Sequence, residues 1–322
     1  MNAPPRAERI PPAAAHVVVV GPVRNCSATI AAEVARFRSV LSGFASLSFL
    51  VVESDSTDDS VQQLRQLAAQ VPGFAFESMG VLRDRHPIRC DRIAVCRNVY
   101  VERLASDPRY RHIDYVMGAD LDNVNHQLSA EAVLSCWRSD VDWSGMTANQ
   151  RLAYYDIWAL RHPVWAPVDC WAAYREMAAV VGHRQAIEMC VASKQVRVPV
   201  DAAPIEVESA FGGFAVYRRE AFVTGRYVGV DANGGEVNEH IGFHADLRAR
   251  GHRLYINPAM INADFTEHTY YKTPLGHLRK ELMWRVRETA DSLHCREQLE
   301  AAIDAVKKML AGSSMERPGK LR

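Results

Sequence analysis

Two apolar runs, each ending in a polar turn and followed by helix-spaced residues, constrain the fold of this chain more than any other feature. His16 to Val20 is a β-branched run that breaks at Gly21-Pro22-Val23-Arg24-Asn25, and helical spacing follows from about Ser27 to Leu41. Leu47-Ser48-Phe49-Leu50-Val51-Val52 repeats the pattern. It ends in Glu53-Ser54-Asp55-Ser56-Thr57-Asp58-Asp59-Ser60, rich in N-cap residues, before a helix over Val61 to Ala69. Such runs read as strands buried in a sheet that helices cover. The alternation therefore predicts βαβ units with right-handed crossovers and a ligand crevice at the carboxyl ends of the strands.

The third repetition carries the chemistry. After a short strand at Phe74-Ala75-Phe76-Glu77 and a helix over Asp91 to Ala105 bearing Arg92, Arg97 and Asn98, an apolar strand from Val116 runs into Asp120-Leu121-Asp122. Two carboxylates one residue apart on a bent strand end can hold a divalent cation against a diphosphate, and oxygen ligands suit Mg²⁺ or Mn²⁺. An isolated Asp-x-Asp also occurs as a solvated turn that stops a strand. Here Arg24-Asn25, Ser54 to Asp59 and Asp120 to Asp122 would all meet at one sheet edge, which marks that edge as the candidate site.

The remaining segments read less uniformly. Ala130 to Trp137 reads as a helix and Trp143 to Thr147 as a strand. Ala153 to His162, dense in aromatic and charged groups, reads equally as a core helix or as a substrate wall. Pro163 to Pro204 reads as a partly helical insertion. Gly212-Gly213 precedes an apolar strand, where paired glycines serve either a tight turn or the close approach of a ligand. Asn238-Glu239-His240 opens a helix ending near Gly251, and Leu254-Tyr255-Ile256-Asn257 is the last core strand. Beyond a boundary near Thr273-Pro274, amphipathic helices rich in Lys and Arg are expected; that pattern more often packs on its own domain than anchors at a membrane surface. The expected division is a disordered leader over residues 1–15, a core domain over 16–273 and a helical extension over 274–322.

Composition excludes some classes. Lys plus Arg and Asp plus Glu both number 38, so no global basic field argues for nucleic acid. The seven cysteines are scattered, without a CxxC pair, against a disulfide framework or structural zinc and for a reducing, cytoplasmic setting. No run of about eighteen apolar residues predicts a spanning helix.

In this order, a Pro-x-x-Asn turn, an acidic hydroxyl-rich turn, Arg97-Asn98, an Asp-x-Asp, a Gly-Gly strand and an acidic helix start, the chain resembles the GT-A nucleotide-sugar glycosyltransferases. More narrowly, Glu53 to Asp58, Tyr154 to Arg161, Glu208 to Gly213 and Asn238-Glu239-His240 resemble landmarks of the fungal capsule-associated α-1,3-mannosyltransferase-like proteins, over about residues 16 to 262. The resemblance implies an α/β fold of GT-A type, Rossmann-like with a mixed, mainly parallel sheet flanked by helices, and a C-terminal helical extension. It implies Mn²⁺ or Mg²⁺ as cofactor, a nucleoside diphosphate sugar (GDP-mannose or a UDP-sugar) as donor, and a carbohydrate or lipid-linked saccharide as acceptor. A role in polysaccharide synthesis would allow peripheral contact with the inner face of the membrane.

By the same resemblance, Pro22, Arg24, Asn25, Glu53, Ser54 and Ser56 would hold base and ribose, with Arg92 and Arg97 toward the nucleotide and its phosphates. Asp120 and Asp122 would serve ribose and metal, with His268, or otherwise Asp264, as third metal ligand. Tyr155, Trp158, Arg161 and Glu208 would face the sugar or acceptor, and Gly212 and Gly213 would pass close to the donor sugar. Glu239, His240 and Asp156 are the catalytic candidates. Inverting relatives usually carry Glu-Asp where this chain has Glu239-His240, which fits a retaining enzyme, although either residue could act as an inverting base. A nucleotidyltransferase and a non-catalytic sugar-binding module are the alternatives.

Overall fold

The computed structural model describes residues 9–266 and 268–313. In chain order the elements are β1 (His16–Val23), α1 (Ile30–Val40), β2 (Ser46–Glu53), α2 (Ser60–Gln70), β3 (Phe74–Ser78), α3 (Arg89–Ser106), β4 (Tyr115–Ala119), α4 (Ala130–Arg138) and β5 (Gly145–Gln150). Next come α5 (Cys170–Val181), α6 (His183–Cys190), β6 (Ile205–Val207), β7 (Phe214–Arg218), α7 (Arg219–Phe222), α8 (Glu239–Ala249), β8 (Leu254–Ala263), α9 (Pro274–Ser292) and α10 (Arg296–Ser313). The chain forms two compact units, the first ending at Thr266 rather than at Thr273 and the second containing α9 and α10.

The strands of the first unit form one eight-stranded sheet in the order β3-β2-β1-β4-β7-β5-β8-β6. Pairing is parallel from β3 through β4 and between β5 and β8; β7 and β6 run against their neighbours. The sheet is thus mixed and mainly parallel. Because β7 inserts antiparallel between β4 and β5, the carboxyl ends of β1, β2, β4, β5 and β8 share an edge with the start of β7.

The apolar runs become strands for the expected reason. Val18, Val20, Leu50 and Val52 enter one core, with α3 and α8, while Val17, Val19, Phe49 and Val51 enter the other, with α1, α2 and α4. On α1, Ile30, Val34 and Phe37 recur at helical spacing and are fully covered. Asn238 caps α8 by accepting from the His240 N–H (3.1 Å), so Glu239 enters the first turn, where the helix dipole favours a carboxylate.

Several expectations are corrected. β1 continues through Gly21-Pro22-Val23, tolerating Pro22 because β4 pairs only as far as Val20 and leaves one side open. β5 begins at Gly145, not at Trp143, whose indole donates to the Cys136 carbonyl (3.0 Å). β8 passes Pro258 and reaches Ala263, because a register shift in its pairing with β5 absorbs the proline and Asn149 donates to the Pro258 carbonyl (3.0 Å). Residues 153–162 form no helix. Of the supposed leader, residues 9–15 are ordered. Arg9 donates to the carbonyls of Trp137, Ser139 and Val141, the Ile10 carbonyl accepts from the Trp137 indole, and Ala15 is buried. Residues 1–8 lie outside the described residues.

All seven cysteines are free. Among the described residues, no helix is long and apolar enough to cross a membrane.

Candidate functional site

The ends of β1 and β2 lock each other into a rim. The Asn25 N–H donates to Ser56 Oγ (3.0 Å), and Asn25 Oδ1 accepts from the Thr57 N–H (2.8 Å). Asp58 accepts from the Ser27 hydroxyl (2.6 Å) and the Ser60 N–H (3.0 Å). Partial burial pushes its pKa up, but these bonds to the charged form together outweigh burial and lower the pKa to about 2. Glu53 is buried beneath the turn, one oxygen accepting from the Ser56 N–H (2.9 Å), the other from the Ser78 hydroxyl (2.5 Å). Ser54 is buried as well. Arg24 and Asn25 remain exposed and Pro22 half-buried. Glu53 and Ser54 thus shape the rim from below, and Arg24, Asn25 and Ser56 reach its surface. Arg92, expected near phosphates, donates to the carbonyls of His86 (2.8 Å) and Pro87 (2.7 Å) and lies 3.8 Å from Asp55.

Arg97 organises the centre. Its Nε donates to Glu239 (3.0 Å), one terminal nitrogen to the Tyr100 hydroxyl (3.0 Å) and the other to Asp120 (3.2 Å). The guanidinium packs on the rings of Phe211 (5.1 Å) and Tyr227 (5.6 Å) and is only 3 % exposed. Asp120 feels burial first of all, even with 32 % of its side chain open; the neighbouring carboxylates Asp122, Glu239 and Asp156 add to that, against Arg97, and lift its pKa to about 7. Asp122 is exposed, accepting from the Val124 N–H (3.3 Å). Burial first, then Asp156, Asp120 and Asp122, raise the Tyr155 phenol well above its usual range.

Gly212 and Gly213 complete the floor. Both have positive φ (+72° and +85°), and a Cβ would lie 2.8 Å from the Ala148 carbonyl oxygen at Gly212 and 2.8 Å from Val124 at Gly213. Asp156 accepts from the Gly212 N–H (3.0 Å), and the Gly213 carbonyl accepts from the Asp120 N–H (2.9 Å). Beneath them runs a buried amide network that the sequence did not disclose. Asn125 donates to the carbonyls of Asp120 (2.8 Å) and Gly213 (3.2 Å). Asn262 donates to Asn125 (2.8 Å) and the Gly212 carbonyl (2.8 Å), and Gln150 to Asn262 (2.9 Å). On the other side, Arg36 of α1 pairs with buried Glu33 and donates to Asn123 (3.0 Å), the left-handed residue (φ +74°) after Asp122.

His240 is 2 % exposed, stacks on Phe211 (4.0 Å between centroids), and has no hydrogen-bond partner at either ring nitrogen. Burial, reinforced by Arg97, depresses its pKa well below the usual histidine value, so the ring is neutral. Other expected residues are engaged away from the centre. Trp158 donates to Asp169 (3.0 Å), as does Arg161 (2.7 Å), fastening the aromatic segment to the start of α5. Glu208 is exposed and lies 3.6 Å from Arg248, in the last turn of α8, the end opposite Glu239. Asp264 accepts from Arg151 (2.8 Å). His268 belongs to the second unit and is exposed.

Among the described residues, no group of three His, Cys, Asp or Glu side chains is placed to hold a metal. The Asp120–Asp122 pair fits a cation of another kind, one bound through one or two carboxylates and completed by substrate phosphates and water, as Mg²⁺ commonly is. The carboxylates that crowd Asp120, namely Asp122, Glu239 and Asp156, supply negative charge to attract a cation there.

No protein-family model matches the chain, and no curated protein sequence does. Solved structures show a distant likeness. A mannosyltransferase from Pyrobaculum calidifontis in complex with GDP-Man and Mn²⁺ is 16 % identical, over 80 % of this chain and 59 % of that one, at a TM-score of 0.43. Glucosyl-3-phosphoglycerate synthase from Mycobacterium tuberculosis, with Mn²⁺, UDP and phosphoglyceric acid, is 17 % identical over 77 % and 67 %, at 0.34. The chain spans about three fifths of the length of the first, and the likeness is one of general architecture.

Proposed function

We propose that this chain is a divalent-cation-dependent glycosyltransferase that moves a hexose from a nucleoside diphosphate sugar to a hydroxyl of a carbohydrate or glycolipid, with retention at the anomeric carbon. The observation that carries this reading is the gathering of Asp122, Asp156, Glu239 and Arg97 around Asp120 at the carboxyl edge of the sheet. A donor diphosphate in that crevice would meet two carboxylates able to share a cation and a polar rim formed by exposed Arg24 and Asn25 and half-buried Ser56. Bound there, the cation would neutralise charge developing on the departing diphosphate.

The chain's own residues position. Asp156 fixes the Gly212 amide, so the glycine turn presents backbone where a Cβ would obstruct. The Tyr155 hydroxyl lies 3.1 Å from the point where a Gly213 Cβ would stand, bordering the same crevice with a neutral phenol. Retention is supported by the surroundings of Glu239 and His240. Glu239 is held by Arg97 and His240 is buried and neutral, which suits positioning better than removal of an acceptor proton. A mannosyl donor is supported by the narrower sequence resemblance alone.

A thermal-shift panel of GDP, UDP and their sugars, with and without Mn²⁺, tests the donor class. Stabilisation by GDP sugars is expected; a UDP preference would remove the mannose reading, and no shift with any nucleotide would remove the proposal. An α-linked first product by NMR, from an α-linked donor, is the expected stereochemistry; a β-linked product returns Glu239 or His240 to the role of base.

Incomplete protein ligation has a measurable consequence. Mn²⁺ alone should bind weakly and tighten by about tenfold or more with a nucleoside diphosphate, the nucleotide gaining the same factor from Mn²⁺. Because Asp120 is protonated below about pH 7, the cation must displace that proton, and affinity should fall by about tenfold per pH unit below this point. Calorimetric titrations at several pH values check both; Mn²⁺ affinity independent of nucleotide and pH would count against the assignment.

A further inference from the structure

Helix α9 is covered on the wrong side for a helix that packs by its apolar face. Leu275 (66 % exposed), Leu278 (66 %), Leu282 (59 %) and Val286 (37 %) stand open to solvent. With each residue stepping about 100° around the axis, the four fall within one arc of about 80°, and Arg279 and Arg285, both exposed, border it on either side. No Asp or Glu of α9 falls in that arc. The other side is engaged instead: Lys280 lies 4.3 Å from the Tyr271 ring centroid, Arg287 pairs with Glu300 of α10 (2.9 Å), and Ala290 is buried. Leu293, just past the helix, continues the apolar line at 68 % exposed.

We propose that this face of α9 is a docking surface for an anionic phospholipid membrane. A narrow leucine stripe bordered by arginines has the chemistry of an interfacial helix, in which apolar side chains enter the acyl boundary while guanidinium groups meet phosphates. Arg279 and Arg285, the exposed charged residues that border the stripe, are both basic and complement the phosphates of an anionic surface. The inference is independent of the proposed chemistry, since it concerns the second unit alone.

Flotation of the full chain with phosphatidylcholine vesicles, with and without phosphatidylserine, tests it, alongside its mass in solution by light scattering. Binding is expected to the anionic vesicles only and to be lost in high salt. Arg279→Gln with Arg285→Gln should weaken it by about 25-fold, at about fivefold per basic residue, and Leu278→Gln with Leu282→Gln by about tenfold or more. Arg279→Lys with Arg285→Lys should keep it, which separates loss of charge from loss of fold. Equal binding to neutral vesicles, no binding by the unsubstituted chain, or binding unaffected by both neutralising and leucine substitutions would overturn the proposal. A dimer that the leucine substitutions dissociate would assign the stripe to a second copy.

Discussion

Replacing Asp122 by alanine is expected to lower the transfer rate by about 10³-fold, the loss of several kcal/mol of stabilisation at the leaving diphosphate. Folding stability should stay within about 0.5 kcal/mol of the unsubstituted chain, because the residue is exposed and its hydrogen bond is a 3.3 Å contact to a neighbouring amide. The two readouts must separate. A loss of rate together with a lowered unfolding midpoint would mean that Asp122 holds the loop, a role already covered by the Arg36 contact to Asn123 and by Asn125 beneath. Asp122→Asn, which keeps shape and one ligand oxygen but not charge, should be nearly as slow and should partly recover at high Mn²⁺. Turnover persisting after rigorous removal of metals would sink the role given to both acids.

How much could be read from the sequence depends on the range of the interactions. The strand, turn, helix alternation is local. Apolar runs at 16–20 and 47–52 had to be buried on two faces, and the expectation that their polar ends meet that of the Val116 strand at one edge followed from that, whereas the order of the sheet, with β7 inserted antiparallel between β4 and β5, did not. The start of α8 was also legible, since Asn238 before Glu239 is a local cap. Pro258 misled because a proline reads as a strand end, and only the register shift between β5 and β8 accommodates it. The segment 153–162 could not be settled locally. It stays irregular because Asp156 holds the Gly212 amide, Arg161 pairs through its backbone with Ser209, and both Trp158 and Arg161 bind Asp169. Least legible was the amide network. Asn125, Gln150 and Asn262 carry no periodicity and meet across more than a hundred residues, and their one trace in the sequence is polar side chains placed where strands should still be buried.

The bridge from α3 to Asp120 and Glu239 was equally hidden, and the stability of the site turns on it. Arg97→Ala should destabilise the protein by about 3 kcal/mol, the lower end of the range for removing one partner from a buried ionic group, because Asp120 retains some solvent contact. The pH dependence has a definite sign. Asp120 has a folded pKa of about 7 against a usual value near 3.8, so its contribution to stability is complete below about pH 4 and is lost as pH rises through 7. Without Arg97, the one group opposing that rise, the folded state would hold the proton to still higher pH. The deficit of Arg97→Ala should therefore be larger at pH 8 than at pH 5. Arg97→Lys should recover only part of it, since a single ammonium cannot reach Glu239, Tyr100 and Asp120 in one plane while stacking on Phe211 and Tyr227. Urea unfolding of the three proteins at both pH values decides the matter. A deficit independent of pH would reduce Arg97 to a packing residue, and full recovery by lysine would show that charge alone, without the planar fork, holds the two carboxylates together.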